Sequence, residues 1–178
     1  MSPRAVDRKL VAIDASVLQH VPGAGGDDEK MSARVAWLFE KLKSDKVDII
    51  LPAPALTEML AAFSNSEASE RYAYDIQEAV AVVGYDVAAS IVAADLFRER
   101  ARGSLRALYA EDGKQKFKVD LMIIATAVTR GCVELFTCDE RMALMARGAV
   151  KVSLLTTLDD APLLEASRES GLDPLDSE

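Results

Sequence analysis

Short apolar runs alternating with stretches of helical spacing narrow the possible folds of this chain more than any other feature. Leu10–Ile13, Asp48–Leu51, Val133–Thr137 and Val150–Leu155 read as strands. Between them, Val35, Leu38, Phe39 and Leu42, with Trp37 at the edge, recur at helical intervals, as do Leu121, Ile124, Ala125 and Val128. Strands separated by helices predict an α/β fold of three layers, α/β/α, around a mainly parallel sheet whose ligands bind beyond the carboxyl ends of the strands. Pro52 and Pro54 stop the second strand, and Pro54 can open the next helix. The span from Ser69 to Arg102 reads as two alanine-rich helices divided near Gly84-Tyr85-Asp86, forming a helical arm. Gly113 through Lys118 is expected to be a polar loop, followed by a helix that ends at Gly131. Glu140–Arg147 is expected to be a short helix, and another is expected near Leu163–Arg168.

Four acids stand where such elements begin or end: Asp14 in V-A-I-D-A-S, Glu58 in A-L-T-E-M-L, Asp120 in K-V-D-L-M-I-I-A-T-A and Asp139 in F-T-C-D-E-R. A parallel sheet can bring them to one edge, where bare carboxylates repel unless something positive lies between them. A hard divalent cation, Mg²⁺ or Mn²⁺, suits an all-oxygen donor set. Each acid also has a purely structural reading. Asp14 and Asp139 can cap helices, Asp120 can answer a helix dipole, and Glu58 can be a solvated helix residue.

With 178 residues, half of them hydrophobic, the chain can bury one core, and a single domain over 1–160 with an acidic tail over 161–178 is expected. No apolar run is long enough for a membrane span and the one before Asp14 is too short for a signal peptide, so no membrane partner and a cytoplasmic location are expected. Cys132, Cys138 and the single His20 make no zinc set. The net charge of −8 argues against a protein that simply coats nucleic acid. Charge is nevertheless uneven. Residues 98–118 hold seven basic and three acidic side chains, a local +4 against −12 elsewhere. Arg98, Arg102, Arg106, Lys114, Lys116 and Lys118 are therefore candidates for guiding a phosphate backbone toward an acidic site, with a solvated helix face and loop as the alternative. Gly23, Gly25 and Gly26 lie in an acidic loop without the G-K-S/T of a phosphate-binding loop. Ser16, two places after Asp14, departs from the D-x-D of haloacid-dehalogenase-type phosphatases, and no acid cluster surrounds the first strand as in receiver domains.

The acid contexts, in order and spacing, resemble the PIN-domain metal-dependent nucleases, including the VapC-type toxins of toxin–antitoxin pairs. The likeness runs from about Leu10 to Leu155. It rests on Asp14 with Ser16, Thr57-Glu58 at a helix start, Asp120 opening an apolar helix with A-T-A, and the T-x-D of Thr137 and Asp139. The resemblance implies a PIN-like fold and an endoribonuclease, cutting RNA rather than DNA, that works either as the toxin of such a pair or as an RNA-processing nuclease without such a partner. It implies that Asp14, Glu58, Asp120 and Asp139 are catalytic and bind Mg²⁺ or Mn²⁺, with Ser16 and Thr137 supporting them. An antitoxin protein and a homodimer are the implied partners. Glu140, beside Asp139, is an alternative ligand. The alternative function is a non-catalytic PIN-like binding or assembly module.

Overall fold

The computed structural model describes residues 8–21, 28–100 and 114–157. Their strands are β1 (Leu10–Ile13), β2 (Asp48–Pro52), β3 (Ala81–Val83), β4 (Glu134–Thr137) and β5 (Val152–Leu154). The helices are α1 (Ala15–Leu18), α2 (Glu29–Ser44), α3 (Ala53–Ala61), α4 (Ser66–Ala79), α5 (Val87–Arg100), α6 (Lys114–Thr129) and α7 (Glu140–Ala146), and a 3-10 turn closes the described chain at Leu155–Thr157. All strand pairs are parallel and the sheet order is β3-β2-β1-β4-β5. The chain thus builds outward from β1 in one direction, crosses back, and continues from β4 in the other. Right-handed crossovers in opposite directions put helices on opposite faces, which yields the expected α/β/α layers.

Burial on both faces explains why β1, β2 and β4 read as continuous apolar runs rather than alternating ones: Val11, Ala12, Ile13, Leu51 and Leu135 are all buried. α6 is apolar on more than one side because it packs on β2 and β4 and also touches α3, α5 and α7. Leu121, Ile123 and Ile124 lose nearly all their exposure there, and each such side chain contributes roughly 1.5–3 kcal/mol of hydrophobic stabilisation. Local signals set the helix ends. Asp28 accepts from the Met31 N–H to start α2, Asn65 from Glu67 N–H to start α4, and Asp86 from Ala89 N–H to start α5. α6 ends at Gly131, whose φ of +71° lets Cys132 N–H reach back to Ala127 O and Gly131 N–H to Val128 O.

Two expectations change. Val80 and Val83, expected on a helix, belong to the end of α4 and to the short edge strand β3, which pairs with β2 through Ile50 to Pro52. The β-branched Val80, Val82 and Val83 favour the pleated surface that the existing strand edge offers, and this tertiary pairing overrides the helical spacing. The stretch Lys114–Lys118, expected as loop, is the first turn of α6. Asp120 consequently sits in the second turn, where the dipole argument no longer applies and the spacing to Lys116 becomes the relevant fact. In the expected arm region, α4 packs on α3 and β3, and α5 runs antiparallel to α6. The two ends of that pair are fixed by Phe97 against Phe117 and by Arg130 bonded to Asp86. The segment 22–27, Arg102, Arg106 and the expected helix near Leu163 lie outside the described residues.

Candidate functional site

The β1/β4 boundary is where the strand order reverses, and the crevice beyond the carboxyl ends of these neighbours is where parallel sheets of this kind bind ligands. Asp14 follows β1 there and Thr137 ends β4, so the register Ile13↔Phe136 sets the two exits side by side. Asp14 is 3% exposed and fully engaged. Its Oδ1 accepts from Ala15 N–H at 2.7 Å, and its Oδ2 accepts from the hydroxyls of Ser16 at 2.7 Å and Thr137 at 3.0 Å. Those hydroxyls are themselves oriented from behind. Cys138 N–H donates to Ser16 Oγ at 2.9 Å and Asp139 N–H donates to Thr137 Oγ1 at 3.0 Å, and the two hydroxyls lie within 3.2 Å of each other, closing a small network around the carboxylate. Ser16 and Thr137 therefore hold the Asp14 carboxylate.

Asp139 caps α7, with its Oδ1 accepting from Arg141 N–H at 2.8 Å and Met142 N–H at 3.3 Å. Its Oδ2 accepts from Lys116 Nζ at 2.8 Å. Burial alone pushes this carboxyl up, but the Lys116 bond, the α7 amides and the Lys116 charge together hold it below the ordinary aspartate range. Glu58, half-buried on α3, behaves oppositely: burial and then the Asp14 charge raise it, Lys116 partly relieves it, and Asp139 raises it again. Lys116 is held above the ordinary lysine range first by its bond to Asp139, against burial, with further help from the Asp139 and Asp120 charges and opposition from Arg141. Asp120, 1% exposed, lies one turn beyond Lys116 on α6.

The tertiary structure thus brings the charges of Asp14 and Asp139 to bear on Glu58, and those of Asp120 and Asp139 to bear on Lys116. The donor set is all oxygen and carries mutual repulsion, which fits a hard divalent cation. Among the described residues, however, no three Asp, Glu, His or Cys side chains stand in a ready metal cage. Asp139 divides its two oxygens between the α7 cap and Lys116, and Asp14 divides its own between Ala15 and the two hydroxyls. Glu140 lies on the α7 face toward β5, in a groove with Ala143, Leu144, Arg147 and Val152.

The basic candidates separate. Lys116 enters the acid cluster, Lys118 is exposed on α6, and exposed Arg98 pairs with Asp95 on its own helix. The side chain of Lys114, like Arg102 and Arg106, is outside what is described. Sequence reasoning missed two roles. Arg100 is tied to the end of α7, donating to Met145 O at 3.1 Å and Arg147 O at 2.5 Å. Lys116 was read only as a backbone guide; the signal that reveals it is the four-residue spacing to Asp120, visible once the helix is started at Lys114.

A sequence profile described as PIN domain matches residues 11–148, well over half of the chain. Among solved structures, the chain is similar to VapBC2 from Rickettsia felis, solved with a DNA fragment from its promoter (11% identity, TM-score 0.57, covering 82% of this chain and 98% of that one). It is likewise similar to DNA-bound VapBC from Salmonella typhimurium (16%, TM-score 0.56, covering 83% and 98%). VapBC-1 from nontypeable Haemophilus influenzae aligns equally well (14%, TM-score 0.57, covering 83% and 99%). At these identities the likeness speaks for the fold. A comparison with curated proteins returns no match.

Proposed function

This chain belongs to the PIN-domain family, and from that premise we propose that it is a metal-dependent endoribonuclease, hydrolysing RNA phosphodiester bonds as the toxin of a toxin–antitoxin pair. The observation that carries the reading is the convergence of Asp14, Glu58 and Asp139 on one rim, with Asp120 and Asp139 sharing Lys116. Asp14, Glu58, Asp120 and Asp139 would hold Mg²⁺ or Mn²⁺. When bound, such a cation supplies Lewis-acid stabilisation of charge on a phosphoryl oxygen. The chain's own residues do the rest. Ser16 and Thr137 hold the Asp14 carboxylate in one orientation, and the half-buried Glu58, its carboxyl raised by burial and by the Asp14 charge, gains a counter-charge when the cation is bound. Arg98, Lys114, Lys116 and Lys118, with Arg102 and Arg106, guide the RNA backbone toward the rim. No helix among the described residues is long and apolar enough to cross a membrane, and we place the activity in the cytoplasm. The partners are an antitoxin protein and a second copy of the chain, for which the exposed Val87 and Ile91 of α5 are the candidate surface.

The test is cleavage of structured and single-stranded RNA by purified protein with Mn²⁺, Mg²⁺ or chelator, beside Asp120→Asn. The expected result is metal-dependent cleavage abolished by the substitution. A second reading, a non-catalytic PIN-like binding module, is favoured by the lack of a ready metal cage among the described residues. Failure of the native protein both to cleave and to bind Mn²⁺ would decide for it.

A further inference from the structure

We propose that Lys116 is the built-in counter-ion of the acid cluster, occupying the cationic position in the metal-free protein and competing with the divalent cation for it. The inference rests on the metal-dependent reading above. Its geometry comes from α6, which carries Lys116 and Asp120 one turn apart on the same face, and from α7, which presents Asp139 across the rim. The ammonium donates to Asp139 Oδ2 at 2.8 Å, so it binds an oxygen that a cation would need. Asp120 lies one turn along the same helix, so the ammonium sits between the acid it bonds and the acid that follows it on α6. Asp139 is 18% exposed and the lysine 45% exposed, so the lysine side chain has a route to solvent while its ammonium is bonded to a mostly buried carboxylate. Lysine suits an exchangeable occupant: its ammonium is a compact point charge on a flexible stem, without the planar two-point grip of arginine. Lys118, two residues on, is exposed on α6 and has no such engagement with Asp139.

The experiment uses the full chain stripped of metal, with Mn²⁺ alone as probe, and measures affinity by calorimetry for the native protein, Lys116→Met, Lys116→Arg and Lys118→Met. Lys116→Met is expected to bind Mn²⁺ about tenfold more tightly, since one competing charge at close range is gone. In chelator it melts about 2–4 °C lower than the native protein. Lys116→Arg, whose planar fork grips a carboxylate at two points, binds Mn²⁺ more weakly than the native protein, and Lys118→Met changes the affinity by less than about twofold because exposed charges are screened. A second readout needs no variant: amine acylation followed by mass spectrometry should label Lys116 several-fold faster with Mn²⁺ than without, while Lys118 is unaffected. Unchanged or weaker Mn²⁺ binding by Lys116→Met, an equal gain in Lys118→Met, or acylation of Lys116 indifferent to Mn²⁺ overturns the proposal alone. No Mn²⁺ binding by any of the proteins overturns the metal-dependent reading and the proposal with it.

Discussion

Asp14 and Glu58 are carboxylates of one cluster that stand in opposite relation to stability. Asp14 satisfies one amide and two hydroxyls in a nearly sealed site. Asp14→Ala leaves those donors without an acceptor and is expected to cost about 1–3 kcal/mol, read by urea unfolding in chelator. Glu58 is held against burial and against the charge of its neighbours, so Glu58→Gln is expected to raise the melting temperature of the metal-free protein by about 2 °C while abolishing cleavage. A drop in melting temperature on that substitution would show that Glu58 is structurally employed after all. The thiols add a pH dependence. Burial pushes Cys132 up to about 11, and Cys138 likewise to about 11 despite a bond with Ser16. In the unfolded chain these thiols ionise from about pH 9, whereas in the fold they stay neutral, so their contribution to stability is fully present below pH 9 and is lost as pH rises toward 11. Cys132→Ala should therefore flatten the fall in melting temperature between pH 8.5 and 10.5; an unaltered slope would show that Cys132 is not the group responsible.

Among the elements, α5, α6 and α7 behave as one block. α5 meets α6 through Ala89, Ala93 and Ala125, residues small enough to let the helix backbones come close. Ala125→Leu forces them apart and is expected to cost about 1–3 kcal/mol, measured by chemical denaturation. Because α6 also carries Lys116 and Asp120, the same substitution should weaken Mn²⁺ binding, an effect absent if the helix adjusts away from the site. Arg100 joins the last turn of α5 to the carbonyls that end α7. These are charge-assisted bonds from a side chain only 15% exposed, and Arg100→Ala is expected to lower stability by about 1.5–3 kcal/mol in urea unfolding without altering Mn²⁺ affinity. Element ends were legible where a single residue dictates them: Gly131 at the close of α6, Pro54 in the first turn of α3, Asp139 at the start of α7. They were illegible where a partner element dictates them. In Ala81–Val83 the β-branched Val82 and Val83 lean toward strand while the spacing continues a helix, and the outcome was settled by the free edge of β2.

For the molecule as a whole, the proposed ribonuclease reading requires a chain of net charge −8 to engage RNA through a local excess of positive charge. Cleavage under substrate-limited conditions is therefore expected to fall with added salt, and Lys118→Gln should make the slope of log rate against log salt shallower by about 0.7, one phosphate contact on single-stranded RNA. A slope identical to that of the native protein would remove Lys118 from the path of the backbone. The parallel α/β/α architecture could be read from the sequence because its causes are local and periodic: apolar runs of strand length buried on both faces, helical repeats between them, and residues that start or stop a helix by their own chemistry. The places of Asp14 after β1 and of Asp139 after β4 were legible for the same reason, whereas Glu58 and Asp120 lie within α3 and α6. What the acids do to one another was decided only by the tertiary structure. Charges separated by tens of residues interact only once β1 and β4 lie side by side and α3, α6 and α7 converge on their ends. That is why the raised pKa of Glu58 and the bond of Lys116 to Asp139 became visible in the fold and not before it.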